Sequence, residues 1–250
     1  MSDYDRGFPR TARVGAADMA VDSGLRSFML GVYNKVALGL VWSAALAYLT
    51  SSVPEVRDML FRVGPDGRLA GITMLGMAVG WSPLILLLVG GFALRNPSPR
   101  SAGMLYWGIV SLIGASLGMW VLIYTGASIA MTFLVTATGF GALSLYGYAT
   151  KRDLTGFGSF LIIGLFGIII AMIANMFFHS AMIQFVVSVL GVLIFAGLIA
   201  YDTQRLKMTY YALGGDQTAM GVATNFGALS LYINFINLFQ FLLMFMGARR

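Results

Sequence analysis

Long apolar runs alternate with short polar connections along this chain. The apolar runs fall at about 28–50, 70–94, 102–124, 127–149, 157–178, 181–204 and 222–247. A helix needs about 20 mostly apolar residues to cross the hydrocarbon core of a bilayer, and each run supplies them. Open strands cannot satisfy their backbone polar groups in lipid. The pattern therefore predicts an all-α integral membrane protein with seven transmembrane helices. Polar punctuation separates the runs. Pro54, Gly64, Pro65 and Gly67 mark the long connection from Ser51 to Leu69, Pro97 and Pro99 follow the second run, and Gly214 and Gly215 precede the seventh.

Residues 1–27 break the pattern. They are polar and mix Asp3, Asp5, Arg6, Arg10, Arg13, Asp18, Asp22 and Arg26. They hold no short apolar segment followed by a small-residue cleavage site, so no removable signal peptide is expected. They read as a disordered cytoplasmic N-terminal tail. Residues 28–250 then form a single seven-span membrane domain.

Composition agrees with this division. Mean hydropathy is +0.83 and charged residues make up 10% of the chain, against about 25% in soluble domains. One soluble core could not bury that much apolar surface. The partner is the lipid bilayer. The net charge of +6 implies no nucleic acid, because no patch outside the spans interleaves bases with aromatic residues. It sets orientation instead. With the N-terminus inside, ten bases lie on the cytoplasmic side: Arg6, Arg10, Arg13, Arg26, Arg95, Arg100, Lys151, Arg152, Arg205 and Lys207. Five lie outside, Arg57, Arg62, Arg68, Arg249 and Arg250, and Lys35 falls within the first span. Bases collect on cytoplasmic loops, so the N-terminus is expected in the cytoplasm and the C-terminus outside, unless the last segment is re-entrant. There is no cysteine, hence no disulfide and no thiolate metal site.

Of the ten acids, nine lie in the tail or the connections. The tenth, Asp202, sits in Ala200-Tyr201-Asp202-Thr203-Gln204-Arg205 at the end of the sixth run. An ionisable group within a membrane helix is a functional-site hypothesis by default. Two readings compete. Asp202 is an interfacial acid, solvated or paired with Arg205 or Lys207; or it faces the bundle interior and governs passage of a cation. Burial and a neighbouring base act on its protonation in opposite senses, so a response to pH is expected.

Ser230, Asn234 and Asn237 fall at i, i+4 and i+7 of the seventh run, on one helical face extended by Gly227 and Phe241. Amides turned to lipid would lack partners, so this helix is expected at the centre of the bundle. The stripe is interhelical hydrogen-bonding glue, a lined polar path, or both. Arg95, ending the second run, is a headgroup anchor or a partner for Asp202. Asn175 and Gln184 read as packing amides, and His179, the lone histidine, as a solvated turn residue. Gly76 and Gly80, like Gly114 and Gly118, have the four-residue spacing of close helix contacts. The string GALSLY occurs at Gly141–Tyr146 and at Gly227–Tyr232, but the match extends no further.

Enzymatic chemistry finds no support. A zinc protease needs paired histidines with a glutamate, and the single His179 and single Glu55 lie apart. A nucleophile needs a base within reach. No lysine occurs in 222–250 for a retinal Schiff base, and no GxxxxGK[ST] string is present. No catalytic residue and no cofactor is expected, transient Ca2+ aside.

The strings Ala200–Gln204 and Ala228-Leu229-Ser230-Leu231-Tyr232-Ile233-Asn234-Phe235-Ile236-Asn237-Leu238-Phe239 resemble the Bax inhibitor-1 (transmembrane Bax inhibitor motif) family, in particular its bacterial YccA-like branch. The hydrophobic layout resembles that family from about residue 25 to 247. The resemblance implies a seven-helix bundle with the C-terminal helix central between two layers of three. It also implies a pH-sensitive calcium leak channel in a bacterial inner membrane, or a regulator that binds a membrane protein partner such as a membrane protease. In the leak channels two aspartates on the sixth and seventh helices share protons, and an arginine ending the second helix latches them. Asp202 matches the first aspartate and Arg95 the latch. The second aspartate is Asn234 here, which removes one charge and the like-charge coupling. Hard cations favour several oxygens with carboxylates among them. Asp202 with Asn234 and Asn237 is therefore a weaker calcium site than a carboxylate pair.

Overall fold

The computed structural model describes residues 10–93 and 96–250, and the side chains of 23–91 and 96–250 among them. In chain order the elements are α1 (Arg10–Ser52), α2 (Pro54–Leu60), β1 (Phe61–Val63), β2 (Leu69–Ile72), α3 (Met74–Ala93), α4 (Pro99–Ile123), α5 (Gly126–Ala149), α6 (Thr155–Phe178), α7 (Ala181–Ala212) and α8 (Gln217–Met246). All the helices except α2 carry a stretch long and apolar enough to cross a membrane, seven in total among the described residues.

Helix ends follow the local chemistry. At α4, Ser98 and Ser101 form a reciprocal capping box with Pro99 in the first turn, where its missing N–H costs nothing. At α7 the Ser180 hydroxyl caps the first turn. At α8, Asp216 accepts from the backbone N–H groups of Thr218 and Ala219 at 2.9 and 3.1 Å. The connection before it turns on Gly214 and Gly215 at φ 56° and 89°, a region that glycine enters without steric cost.

One expectation is corrected here. The tail was expected to stay disordered to residue 27. Residues 1–9 lie outside the described residues, but α1 runs unbroken from Arg10 and Leu25 is 1% exposed in the core. The physical reason is periodicity. Ser23, Arg26 and Ser27 interrupt the apolar run in sequence, yet they share the exposed face while Leu25, Phe28 and Met29 face inward. The connection after the first span also holds structure that its turn residues did not reveal. Beyond α2, β1 and β2 pair antiparallel with Phe61 opposite Ile72 and Arg62 opposite Gly71, closed by a turn with Gly67 at φ 73°.

The spans arrange around α8. It packs against α1, α4, α5 and α7; α3 leans on α4 and α6 on α7. Two groups of three, α1/α3/α4 and α5/α6/α7, thus flank the last helix. The most apolar window of α8 is 56% buried, against 17–39% for the other six spans. This is the seven-helix architecture with a central C-terminal helix.

The ends of α8 meet the ends of α4, as a full-length path requires. Near its start, Gly221 lies against Pro99 and the Asn225 amide donates to the Pro99 carbonyl at 3.2 Å. Beyond its end, the Thr125 N–H donates to the Ala248 carbonyl at 3.1 Å and the Arg250 N–H to that of Ile123 at 2.9 Å. The two ends of α8 are thus pinned to the two ends of α4. At 1.5 Å per residue its 30 residues reach about 45 Å, more than the hydrocarbon thickness.

Glycines set the closest approaches. A Cβ at Gly114 would come within 2.7 Å of Ser43 Cα, and one at Gly118 would collide with the Thr50 hydroxyl. Gly76 likewise lies against the Leu60 carbonyl, whereas Gly80 meets nothing. The two GALSLY copies differ in the same way: Gly227 presses on Leu206 and Tyr232 is buried, while Gly141 faces open space and Tyr146 is half exposed. They share no packing role. Gly114→Ala is expected to lower stability by about 1–3 kcal/mol, as overpacking against a backbone does. Gly167→Ala, where nothing lies near, should leave it unchanged or slightly higher. Thermal unfolding in detergent compares the two.

Candidate functional site

Four consecutive residues near the end of α7 reach four different neighbours. Successive side chains on a helix point about 100° apart, and here each direction is occupied. The Tyr201 ring lies against Gly158 of α6 so closely that a Cβ there would strike it. Asp202 turns to α8. Thr203, fully buried, places Oγ1 3.4 Å from the Tyr33 hydroxyl of α1. Gln204 receives the Leu154 N–H at 2.8 Å and donates to the Arg152 carbonyl at 2.7 Å, clamping the α5–α6 connection.

Asp202 is 5% exposed. Its Oδ2 accepts from the Ser230 hydroxyl and from Asn234 Nδ2, the latter at 2.7 Å. Its Oδ1 accepts from Arg205 Nη2 at 2.9 Å. Arg205 is itself half exposed, lies 5.6 Å from the Tyr201 ring centroid and reaches Ser230 Oγ at 3.4 Å. Both competing sequence readings thus describe part of the geometry. The carboxylate points into the bundle at the central helix, and it also carries an ion pair with Arg205. Lys207 does not share it: its Nζ donates to the Tyr148 carbonyl at 3.1 Å and sits 5.2 Å from that ring's centroid. Bonds to an ionised oxygen are the strong ones, and these replace the hydration that the carboxylate loses on burial.

The rest of the sequence-derived set divides. Ser230 and Asn234 meet Asp202 directly. Asn237 does not, because its Nδ2 donates to the Ile233 carbonyl of its own helix at 2.8 Å. Arg95 lies outside the described residues. Asn175 does more than pack: its side-chain oxygen accepts from the Ser180 N–H at 2.9 Å across the α6–α7 turn, where exposed His179 takes φ 50°. Among the described residues no group of three His, Asp or Glu could hold a metal. The Asn234 amide presents a donor to Asp202, so in this conformation it adds no oxygen beside the carboxylate.

Lys35 and Asn225 form a second polar contact that the sequence reading passed over. Lys35 Nζ donates to Asn225 Oδ1 at 2.7 Å and lies 5.8 Å from the Tyr106 centroid, and the Tyr106 hydroxyl donates to the Lys35 carbonyl at 2.6 Å. Further along, the Ser43 and Tyr232 hydroxyls meet at 2.6 Å. The signal was available: a lysine inside an apolar span calls for an internal partner as much as an aspartate does.

Fold and site together define a seven-span α-helical membrane protein with an internal carboxylate on the sixth span held by its central seventh. The family model described as "Inhibitor of apoptosis-promoting Bax1" matches residues 25–250, and the chain belongs to this Bax inhibitor family. It is 67% identical to a protein of Caulobacter vibrioides over the full length of both chains, and 39% identical to a Rickettsia prowazekii protein, also full length. It is 38% identical to the inner membrane protein YbhL of Escherichia coli over 229 residues, 91% of this chain and 94% of that one.

A double-mutant cycle tests whether the contact between α7 and α8 contributes energy. Asp202→Ala, Asn234→Ala and the double variant should show a coupling of about 1.5–3 kcal/mol, the range for hydrogen bonds to charged groups. Unfolding in sodium dodecyl sulfate provides the measurement, and additive single effects would show that the contact contributes nothing.

Proposed function

We propose that this protein is a cation leak channel of the bacterial inner membrane, with Asp202 and Asn234 at its gate and Ca2+ as a transient cargo. The observation that carries this reading is a buried carboxylate whose acceptor sites are filled by Ser230, Asn234 and Arg205. Hard cations take carboxylate oxygens, and an intramembrane acid of this kind marks ion pathways in other proteins. Arg205 then holds the place of the mobile cation, and the arrangement corresponds to a closed gate. Opening needs the guanidinium to leave Oδ1 and the Asn234 amide to turn its oxygen inward. A pH-sensitive gate belongs to this reading, as the family resemblance implies. The inner-membrane assignment rests on the likeness to YbhL, and a cytoplasmic N-terminus on the bias of basic residues.

One observation favours a second reading, a non-conducting regulator that binds a membrane protein. Asp202 stands opposite an amide rather than a second acid, and Arg205 neutralises it from its own helix, which leaves no net negative charge at the gate.

Calcium flux into liposomes holding only this protein separates the two. The channel reading expects flux that varies with pH, and an altered flux in Asp202→Asn. Equal flux from wild type and Asp202→Asn removes Asp202 from the mechanism. No flux at any pH, with a co-purifying membrane protein, supports the regulator.

A further inference from the structure

The α1 and α5 backbones flank α8 without packing on each other. Side chains bridge the gap midway, where the Tyr33 and Phe140 rings meet edge to face at 6.2 Å. On the side of the membrane where α1 enters, the gap opens into a groove of about 500 Å³ between Met29 and Leu30 of α1 and Gly141 and Leu145 of α5. Its walls are almost wholly apolar. Ser144 lies in the wall at 6% exposure, and among the described residues its Oγ is the buried side-chain polar atom without a partner; Arg26, Tyr33 and Tyr148 are the other polar residues of the lining. At the mouth the groove joins a wider polar recess through Arg26 and Tyr148. Arg26 lines this mouth and is exposed, Lys207 lies behind it on the carbonyl and ring of the lining Tyr148, and no acid lines either space among the described residues.

We propose that this groove is a binding site for an anionic glycerophospholipid. An acyl chain lies along the apolar walls, an ester carbonyl accepts from the Ser144 hydroxyl, and the phosphate rests between Arg26 and Lys207. Three independent features select this occupant. The groove is apolar and is bordered by the exposed Leu30 and Leu145 of two spanning helices, the surface that acyl chains cover in a bilayer. Its buried hydroxyl lies about one turn below the mouth, since Ser144 is four residues from Tyr148, which is the depth of the ester region when the phosphate is at the surface. Among the described residues the charged side chains at and beside the mouth, Arg26 and Lys207, are both basic. A zwitterionic lipid offers the same chain and ester but also sets its own cation against Arg26. The inner wall ends at Tyr33, whose hydroxyl reaches Thr203 beside Asp202, so an occupied groove seals the flank of the carboxylate site from the bilayer.

Native mass spectrometry of the full chain in mild detergent, with equal amounts of phosphatidylglycerol and phosphatidylethanolamine added, tests the proposal. One phosphatidylglycerol per chain should be retained in preference. Each basic residue at an anionic headgroup is expected to contribute about 5-fold, so Arg26→Gln should reduce the preference by about that factor. Gly141→Leu fills the groove without a collision, because nothing lies near its Cβ position, and should abolish retention of both lipids at an unchanged unfolding temperature. Equal retention of the two lipids by wild type overturns the proposal. So does a preference that Gly141→Leu leaves intact, which would place the lipid elsewhere on the surface. A dimer that Gly141→Leu abolishes would seat a second copy in the groove and overturn it equally.

Discussion

A carboxylate taken out of water loses several kcal/mol of hydration, and only good geometry with other hydrogen-bonding groups restores it. In this protein the arrangement around Asp202 is organised by that requirement. Three donors converge on it: the hydroxyl of Ser230, the amide of Asn234 and the guanidinium of Arg205. Two of them belong to α8. The contact therefore fixes the rotation of the central helix about its axis and its height relative to α7. Because α8 also receives Lys35 at Asn225 and Ser43 at Tyr232, it is held in polar register from opposite sides. Apolar packing alone is weakly specific in a bilayer, where lipid tails compete with side chains, and the polar contacts supply the register that packing does not.

Most of the architecture was legible because length and hydropathy suffice for membrane helices. The spans appear where the apolar runs lie, and the amides on the seventh run correctly placed it at the centre. What was missed follows one rule. A run of apolar letters ends at the first cluster of polar ones, but a helix does not. Ser23, Arg26 and Ser27 extend α1 on its exposed face, and Thr209, Tyr210 and Tyr211 carry α7 eight residues beyond its apolar run. The hairpin after α2 was invisible because three- and four-residue strands give no periodic signal, and only their turn residues stood out.

The site was legible in part. Asp202 was found by elimination among ten acids, and Ser230 and Asn234 by spacing. Asn237 lies on the same stripe yet bonds to its own helix, because a shared face does not say which residues lie level with the partner. Arg205 was named as a partner for Asp202 by proximity in sequence, and the structure gives it one carboxylate oxygen. Lys35 was seen and left without a role because its partner, Asn225, is 190 positions away. Contacts of that span are fixed by helix packing order, which a single sequence does not display.

The absence of native cysteine permits a direct test of whether Asp202 points into the bundle. In membranes, single Asp202→Cys and Arg205→Cys variants would be exposed to a water-soluble maleimide, and the Asp202→Cys, Asn234→Cys double variant to a short bifunctional thiol cross-linker. A side chain turned toward α8 predicts fast labelling at position 205, much slower labelling at 202 as for a buried thiol, and efficient cross-linking of 202 to 234. Equal labelling at 202 and 205 with no cross-link would place the carboxylate at the surface and contradict the account.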